Sequence, residues 1–171
     1  MIRRDLPEVL EIEDGSFPDP WSEEEFVRVL RHRNVIGMLA ECGDAVVGFM
    51  LYELNKTYLE IFNLAIHPEW RRRGVGSTMI EKLQGKLSPR RRTSLRVHVR
   101  ESNLVGQLFY QHHGFKAVSI DEGVYGEHSD EQAIRMIYRL PVEPAVFMLP
   151  REQRINWRWV DRPRRRNRKD V

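Results

Sequence analysis

The chain has 171 residues, 41% of them apolar, so it is the size of one ordinary domain and has enough apolar material to bury a core. A single cysteine, Cys42, excludes an intramolecular disulfide framework and the usual thiolate zinc sites, and no run of about 18 uncharged apolar residues is present to span a membrane. The net charge of +3 is unevenly placed: Arg151 to Val171 holds nine Lys or Arg against three Asp or Glu, which is +6, and the remaining 150 residues hold 19 against 22, which is −3.

The start, Met1-Ile2-Arg3-Arg4-Asp5, runs into acidic helix-like sequence with no apolar leader, so the expected setting is a reducing cytoplasm, neither secreted nor in a membrane. Asp5-Leu6-Pro7-Glu8 predicts a helix start, with Asp5 as cap and proline in the first turn, followed by Val9, Leu10 and Ile12. Ser22-Glu23-Glu24-Glu25 has the pattern of a capping box, and Trp21 just before it can staple onto Phe26, so a second helix should carry Phe26, Val27 and Leu30 inward. Val35–Ala40 and Ala45–Leu54 flank Cys42-Gly43-Asp44 as the arms of a hairpin. A strand is expected over Tyr58–Ile66. After His67-Pro68 the apolar spacing becomes helical at Val75, Met79, Ile80, Leu83 and Leu87. Leu95, Val97 and Val99 alternate with Arg96, His98 and Arg100 as in a strand, and Asn103 can cap a helix running through His113 that Gly114 ends. Phe115–Ile120 and Ala133–Leu140 complete the set, which reads as mixed α/β with a domain over residues 1–140. Residues 141–171 form an extension that is arginine-rich and expected to be disordered after about residue 160, because Arg162 to Lys169 contains no apolar residue. That run is either a solubilising end or a contact for a polyanion such as ribosomal RNA.

Arg71-Arg72-Arg73-Gly74-Val75-Gly76 falls where a strand turns into a helix, so backbone N–H groups and the helix dipole converge on one point suited to a phosphate. The glycines permit close backbone approach, and the arginines add charge-assisted donors. The spacing is not that of a P-loop, nor of a dinucleotide fingerprint, whose third glycine position here is Met79. The loop follows Phe62-Asn63-Leu64-Ala65-Ile66-His67-Pro68 and precedes Asn103, Leu108-Phe109-Tyr110 and Gly114-Phe115.

This ordered set, over roughly Ile2 to Leu140, resembles the GNAT superfamily of N-acetyltransferases, whose fold is a mixed central sheet with flanking helices. Phe17-Pro18-Asp19-Pro20-Trp21-Ser22, Phe62-Asn63-Leu64-Ala65 and the late Tyr125 resemble the RimI type, the ribosomal-protein-alanine N-acetyltransferases. The resemblance implies acetyl-CoA as cosubstrate and no metal. It implies backbone contacts to the cofactor from Leu64, Ala65 and Ile66, a pyrophosphate site over Arg71, Arg72, Arg73, Gly74, Val75, Gly76 and Ser77, and a hydrogen bond from Asn103. It also implies a protein N-terminus as acceptor, of the ribosomal protein S18-alanine type, with Trp21 and Tyr125 near the peptide. The extra residues in Phe-Pro-Asp-Pro-Trp and the basic tail depart from the bacterial pattern and bear on the identity of the target.

Amide formation by direct attack needs a neutral amine, an electrophilic thioester and a proton for the departing thiolate. An α-amine, with a pKa of roughly 7.7 to 8.0, is an easier acceptor than lysine near 10.4. By resemblance Tyr110 is the general acid. For the base, the RimI pattern places a glutamate where this chain has His98, an imidazole suited to proton transfer near neutral pH; Glu60, on the neighbouring strand, is the substitute. Competing readings are acetylation of a small molecule or of lysine, and a non-catalytic GNAT-fold module that binds nucleic acid through its tail.

Overall fold

The computed structural model describes residues 5–126 and 131–141. The arginine-rich run, the apolar stretch 145–149 and His128 lie outside the described residues, as does the extension from 142 onward. Among the described residues, no helix is long and apolar enough to cross a membrane.

Six strands form one sheet in the order β1-β2-β3-β4-β6-β5. They are β1 (Val35–Cys42), β2 (Ala45–Leu54), β3 (Tyr58–Ile66), β4 (Ser94–Arg100), β5 (Lys116–Asp121) and β6 (Ala133–Arg139). Neighbours are antiparallel except β3 and β4. Among the described residues four α-helices flank the sheet: α1 (Leu6–Asp14), α2 (Glu23–Leu30), α3 (Val75–Gln84) and α4 (Leu104–His112).

β2 is an almost continuous apolar run because both of its faces are covered. Met50 and Tyr52 join Leu59, Ile61, Leu95, Val97, Val99, Met79, Ile80 and Leu83 in one core with α3 and α4. Phe49 and Leu51 join Leu6, Val9, Ile12, Phe26 and Ala65 in a second core with α1 and α2. The alternation in β4 is as the sequence predicts, Leu95, Val97 and Val99 buried and the residues between them half-buried.

The capping box of α2 forms: Glu25 N–H donates to Ser22 Oγ at 3.3 Å, and Ser22 N–H donates to the Glu25 carboxylate at 2.8 Å. Trp21 meets Phe26 edge-on at 5.5 Å. The cap assigned to Asp5 needs correction. Asp5 stands at the N-cap but makes no side-chain cap bond, because its backbone is already helical and Pro7 removes one of the N–H groups a cap would take. Glu8 instead accepts from Val46 N–H at 3.0 Å, tying α1 to the start of β2. Leu87 lies beyond the end of α3 yet still packs on the first core.

One irregularity sets the course of β3. Leu51 pairs with Asn63 and Tyr52 with Ile61, so Phe62 is an extra residue, a β-bulge that leaves it exposed. The bulge changes the phase of β3: Leu59 and Ile61 enter the first core before it, and Leu64 and Ile66 after it. The β3–β4 ladder ends at the same level, its last pair being Ile61 with Val97.

Candidate active site

Beyond Ile61 and Val97 the two parallel strands part. β4 stays paired to β6 as far as Arg100 with Ala133, and β3 runs on through Ile66 paired with β2. A sheet that opens between two central parallel strands offers backbone groups along one side of the gap, as an edge does for an added strand. Leu64, Ala65 and Ile66 occupy that stretch.

At its end, Pro68–Trp70 forms one 3-10 turn and the chain enters α3 through Arg71 to Gly74. Arg72 (φ +60°) and Gly74 (φ +84°) are both left-handed, and Gly74 is the N-cap of α3 without a side-chain cap, so the first N–H groups of the helix, on Val75, Gly76 and Ser77, point outward from the turn. Thr78 locks the turn by giving both its N–H and its hydroxyl to Gly74 C=O, at 2.9 and 3.1 Å. Gly76 is closely packed: a Cβ there would lie 3.3 Å from the Phe109 ring of α4 and would have to displace it slightly. Arg73 stacks at 5.1 Å over Trp70. The guanidinium of Arg71, which the resemblance places among the phosphate ligands, is hydrogen-bonded within the protein. It donates to Ile66 C=O at 3.0 Å, Gly15 C=O at 3.2 Å and Ser16 Oγ at 2.9 Å, bracing the end of β3 against the end of α1.

Asn103 caps α4 by accepting from Gly106 N–H at 2.8 Å, and Gly106 is small because a Cβ there would sit 2.8 Å from the capping amide. On that helix Tyr110 is buried in the first core, edge-on to Phe109 and Phe115 at 5.3 and 5.1 Å. Burial pushes its phenol well above the ordinary value, and the neighbouring Tyr125 adds to the effect, so it stays protonated.

On the opposite face of β4 the two candidate bases, His98 and Glu60, meet. His98 Nδ1 lies 3.4 Å from Glu60 Oε1, and His98 Nε2 lies 3.0 Å from Asp121 Oδ2. Asp121 also accepts from Ser119 Oγ at 2.9 Å, and Arg135 Nε donates to Ser119 Oγ at 2.9 Å. The hydrogen bond from His98, followed by that from Ser119, holds the Asp121 carboxyl below its usual range.

Next along β4, Arg100 donates to Glu131 at 2.7 Å and to Asp19 at 3.2 Å, and stacks over Tyr125 at 4.2 Å. It thereby joins the α1–α2 loop to the β5–β6 loop. Burial pushes the Tyr125 phenol up to about 12. Trp21 is half-buried on the α1–α2 loop and its backbone N–H donates to Glu13 Oε1 at 3.0 Å. Glu13 is itself buried, accepts from Asn63 Nδ2 at 3.0 Å, and is pushed above its ordinary range by that burial.

Sequence reasoning missed Asp121, Glu131 and the Glu13–Asn63 pair. Ser119 and Asp121, two apart on a strand, share a face by rule, but that the strand lies beyond β6 and within reach of β4 is a matter of strand order. A separate cavity of about 530 Å³ lies between α4 and β5, lined by Leu104, Leu108, Phe115 and Met136, and contains none of the expected site residues. Among the described residues no group of His, Cys, Asp and Glu has the arrangement of a metal site.

The acetyltransferase (GNAT) family model matches residues 6–115. The ribosomal protein bS18-alanine N-acetyltransferase of Escherichia coli strain K12 is 28% identical over 138 residues, 81% of this chain and 92% of that protein. The crystal structure of the ribosomal-protein-S18-alanine N-acetyltransferase from Escherichia coli has a similar fold, with a TM-score of 0.72 at 24% identity, over 87% of this chain and 96% of that one. An aminoglycoside 6′-N-acetyltransferase solved with coenzyme A has a TM-score of 0.67 at 15% identity, over 84% and 94%.

Proposed function

The chain belongs to the acetyltransferase (GNAT) family and is an acetyl-CoA-dependent N-acetyltransferase, and we propose that its acceptor is the α-amine of a protein N-terminus. The observation that carries this reading is the parting of β3 from β4 directly before the left-handed turn into α3, with a buried, protonated Tyr110 on one helix and the Glu60–His98 pair on the strands. The Escherichia coli relative, a ribosomal protein bS18-alanine N-acetyltransferase, matches this chain over 92% of its own length.

The residues present fit the cofactor. Arg72 to Ser77 would hold the pyrophosphate through backbone N–H groups and the loop arginines Arg72 and Arg73, with Arg71 bracing the loop. Leu64, Ala65 and Ile66 would hold the pantetheine arm by backbone, and Asn103 would fix the approach of α4. Bound there, acetyl-CoA supplies a thioester carbonyl open to attack by an amine. The chain's own part is two proton transfers. His98 and Glu60 take the proton that the acceptor nitrogen must lose, and Tyr110, kept protonated by burial, gives one to the departing thiolate sulfur. Trp21 and Tyr125 flank the acceptor entrance, joined by the Asp19–Arg100–Glu131 bridge between their loops.

A ribosomal protein is the favoured target class, and the relative's name supports it. We read residues 1–140 as the catalytic domain and the arginine-rich run in 141–171 as an RNA contact, on charge alone; the lone Cys42 supports a cytoplasmic setting.

The test is thiol release from acetyl-CoA with short peptides differing at the first residue, for wild type and Tyr110→Phe. Turnover should be highest on an Ala-starting peptide, and Tyr110→Phe should lower kcat about tenfold or more while acetyl-CoA affinity holds. Turnover on small amines alone would replace the proposed acceptor.

A further inference from the structure

His98 stands between two carboxylates that come from different strands, and the two distances differ in kind. At 3.0 Å, Nε2 and Asp121 Oδ2 are within ordinary hydrogen-bond range. At 3.4 Å, Nδ1 and Glu60 Oε1 are beyond it. A neutral imidazole has one N–H and one lone pair, and the partner of one nitrogen decides which is which. A carboxylate accepts only, so Asp121 calls for N–H at Nε2 and leaves the lone pair at Nδ1.

Asp121 is built to do this. Ser119 Oγ–H occupies its Oδ1, Arg135 Nε holds Ser119 in turn, and Oδ2 is left for His98, with Arg135 Nε a further 3.5 Å from it. In the ladders His98, Arg135 and Ser119 lie side by side, and Arg100, Ala133 and Asp121 form the next row. The small Ala133 leaves the diagonal from His98 to Asp121 clear across β6.

We propose that Asp121 is a positioning residue for catalysis: it fixes His98 with its proton on Nε2, so that Nδ1, turned toward Glu60, is the atom that takes the proton from the acceptor amine. The inference rests on the proposed function and makes Glu60 and His98 one proton acceptor rather than two candidates. The acceptor nitrogen gives up one proton as it gains the acetyl group. That proton goes to Nδ1 and closes the 3.4 Å gap to Glu60 into a charge-assisted hydrogen bond, typically about 2.7–2.9 Å. The resulting imidazolium then lies between two carboxylates until it releases the proton to solvent. The charged groups facing it are Glu60 from β3, Arg96 and Arg100 from its own strand, Arg135 from β6 and Asp121 from β5.

The experiment compares wild type, Asp121→Asn, His98→Ala and the double variant on the best peptide. It follows kcat and KM against pH and records the His98 ring nitrogens by ¹⁵N NMR. An amide can turn its NH₂ toward Nε2 and invert the tautomer, so Asp121→Asn should lower kcat about tenfold to a hundredfold at unchanged acetyl-CoA KM and move the lower limb of the kcat–pH profile. In the double variant Asp121→Asn should add nothing to His98→Ala. Neutral wild-type His98 should carry its proton on Nε2. A proton on Nδ1 in the wild type overturns the proposal even if Asp121→Asn fails to fold. A drop with His98→Ala alone, with Asp121→Asn inert, overturns the role of Asp121 and spares the base. A normal kcat in His98→Ala instead removes His98 as the base, and the proposal with it.

Discussion

Arg72 holds φ at +60°, a left-handed conformation that costs a non-glycine residue roughly 1–2 kcal/mol. Glycine adopts it freely but loses about 0.5–1 kcal/mol more chain entropy on folding, so Arg72→Gly should gain from nothing to about 1.5 kcal/mol. For a chain of this size that is a rise in Tm of up to about 6 °C, measured without coenzyme A because ligand binding would add its own stabilisation. The same change removes a guanidinium from the loop proposed to hold the pyrophosphate. A hydrogen bond to a charged partner is worth about 1.5–3 kcal/mol, and at this exposed position the lower end applies, or about tenfold in Kd for coenzyme A. Calorimetric titration and thermal melts of wild type, Arg72→Gly and Arg72→Lys give both numbers. Lysine keeps the charge and the strain, so its Tm should match wild type. A lower Tm with unchanged coenzyme A affinity in Arg72→Gly would refute both the strain argument and the phosphate assignment.

Arg71→Ala should show the opposite split: loss of its three hydrogen bonds lowers stability by about 1–2 kcal/mol, and coenzyme A affinity stays within about threefold, both read from melts and titrations. In Gly48→Ala the new Cβ would lie 2.6 Å from Ile66 Cδ1, an overpacking worth about 1–3 kcal/mol. Ile66→Val removes that carbon, so urea unfolding of the double variant should show less loss than the two single losses combined, and strict additivity would contradict the close contact. Glu13 has a folded-state pKa raised above 4.5 by burial, so its stabilising contribution is complete below that value and is lost as pH rises through the folded pKa. Glutamine does not titrate and its amide can serve the buried Asn63 Oδ1, which has no partner among the described residues. The Tm of Glu13→Gln relative to wild type should therefore climb from about pH 4.5 upward and stay higher at neutral pH.

Much of this fold is written in local patterns. The alternation in β4, the Ser22–Glu25 box and the Asn103 cap depend on residues a few positions apart, and each forms as its pattern predicts. Asp5 shows the limit of such patterns, since Pro7 and a backbone already helical defeat a cap whose residue type was right. The bulge at Phe62 has no such signature: it shows only as a two-against-one register between β2 and β3. The site divides in the same way. Arg72 to Gly76 and Tyr110 are marked by residue type and spacing, whereas the meeting of Glu60, His98 and Asp121 depends on β6 lying between β4 and β5. Arg71 escapes its pattern because its sequence neighbours are loop arginines, while its actual partners are 5, 55 and 56 residues away.

Transfer of acetyl from acetyl-CoA to a protein α-amine is tested most directly by fragment mass spectrometry of a peptide that begins with alanine and carries an internal lysine, after incubation with the enzyme and acetyl-CoA. The expected product carries acetyl on the N-terminal alanine with the lysine unmodified; acetyl on the lysine, or an unmodified peptide beside an acetylated small amine, would contradict that assignment.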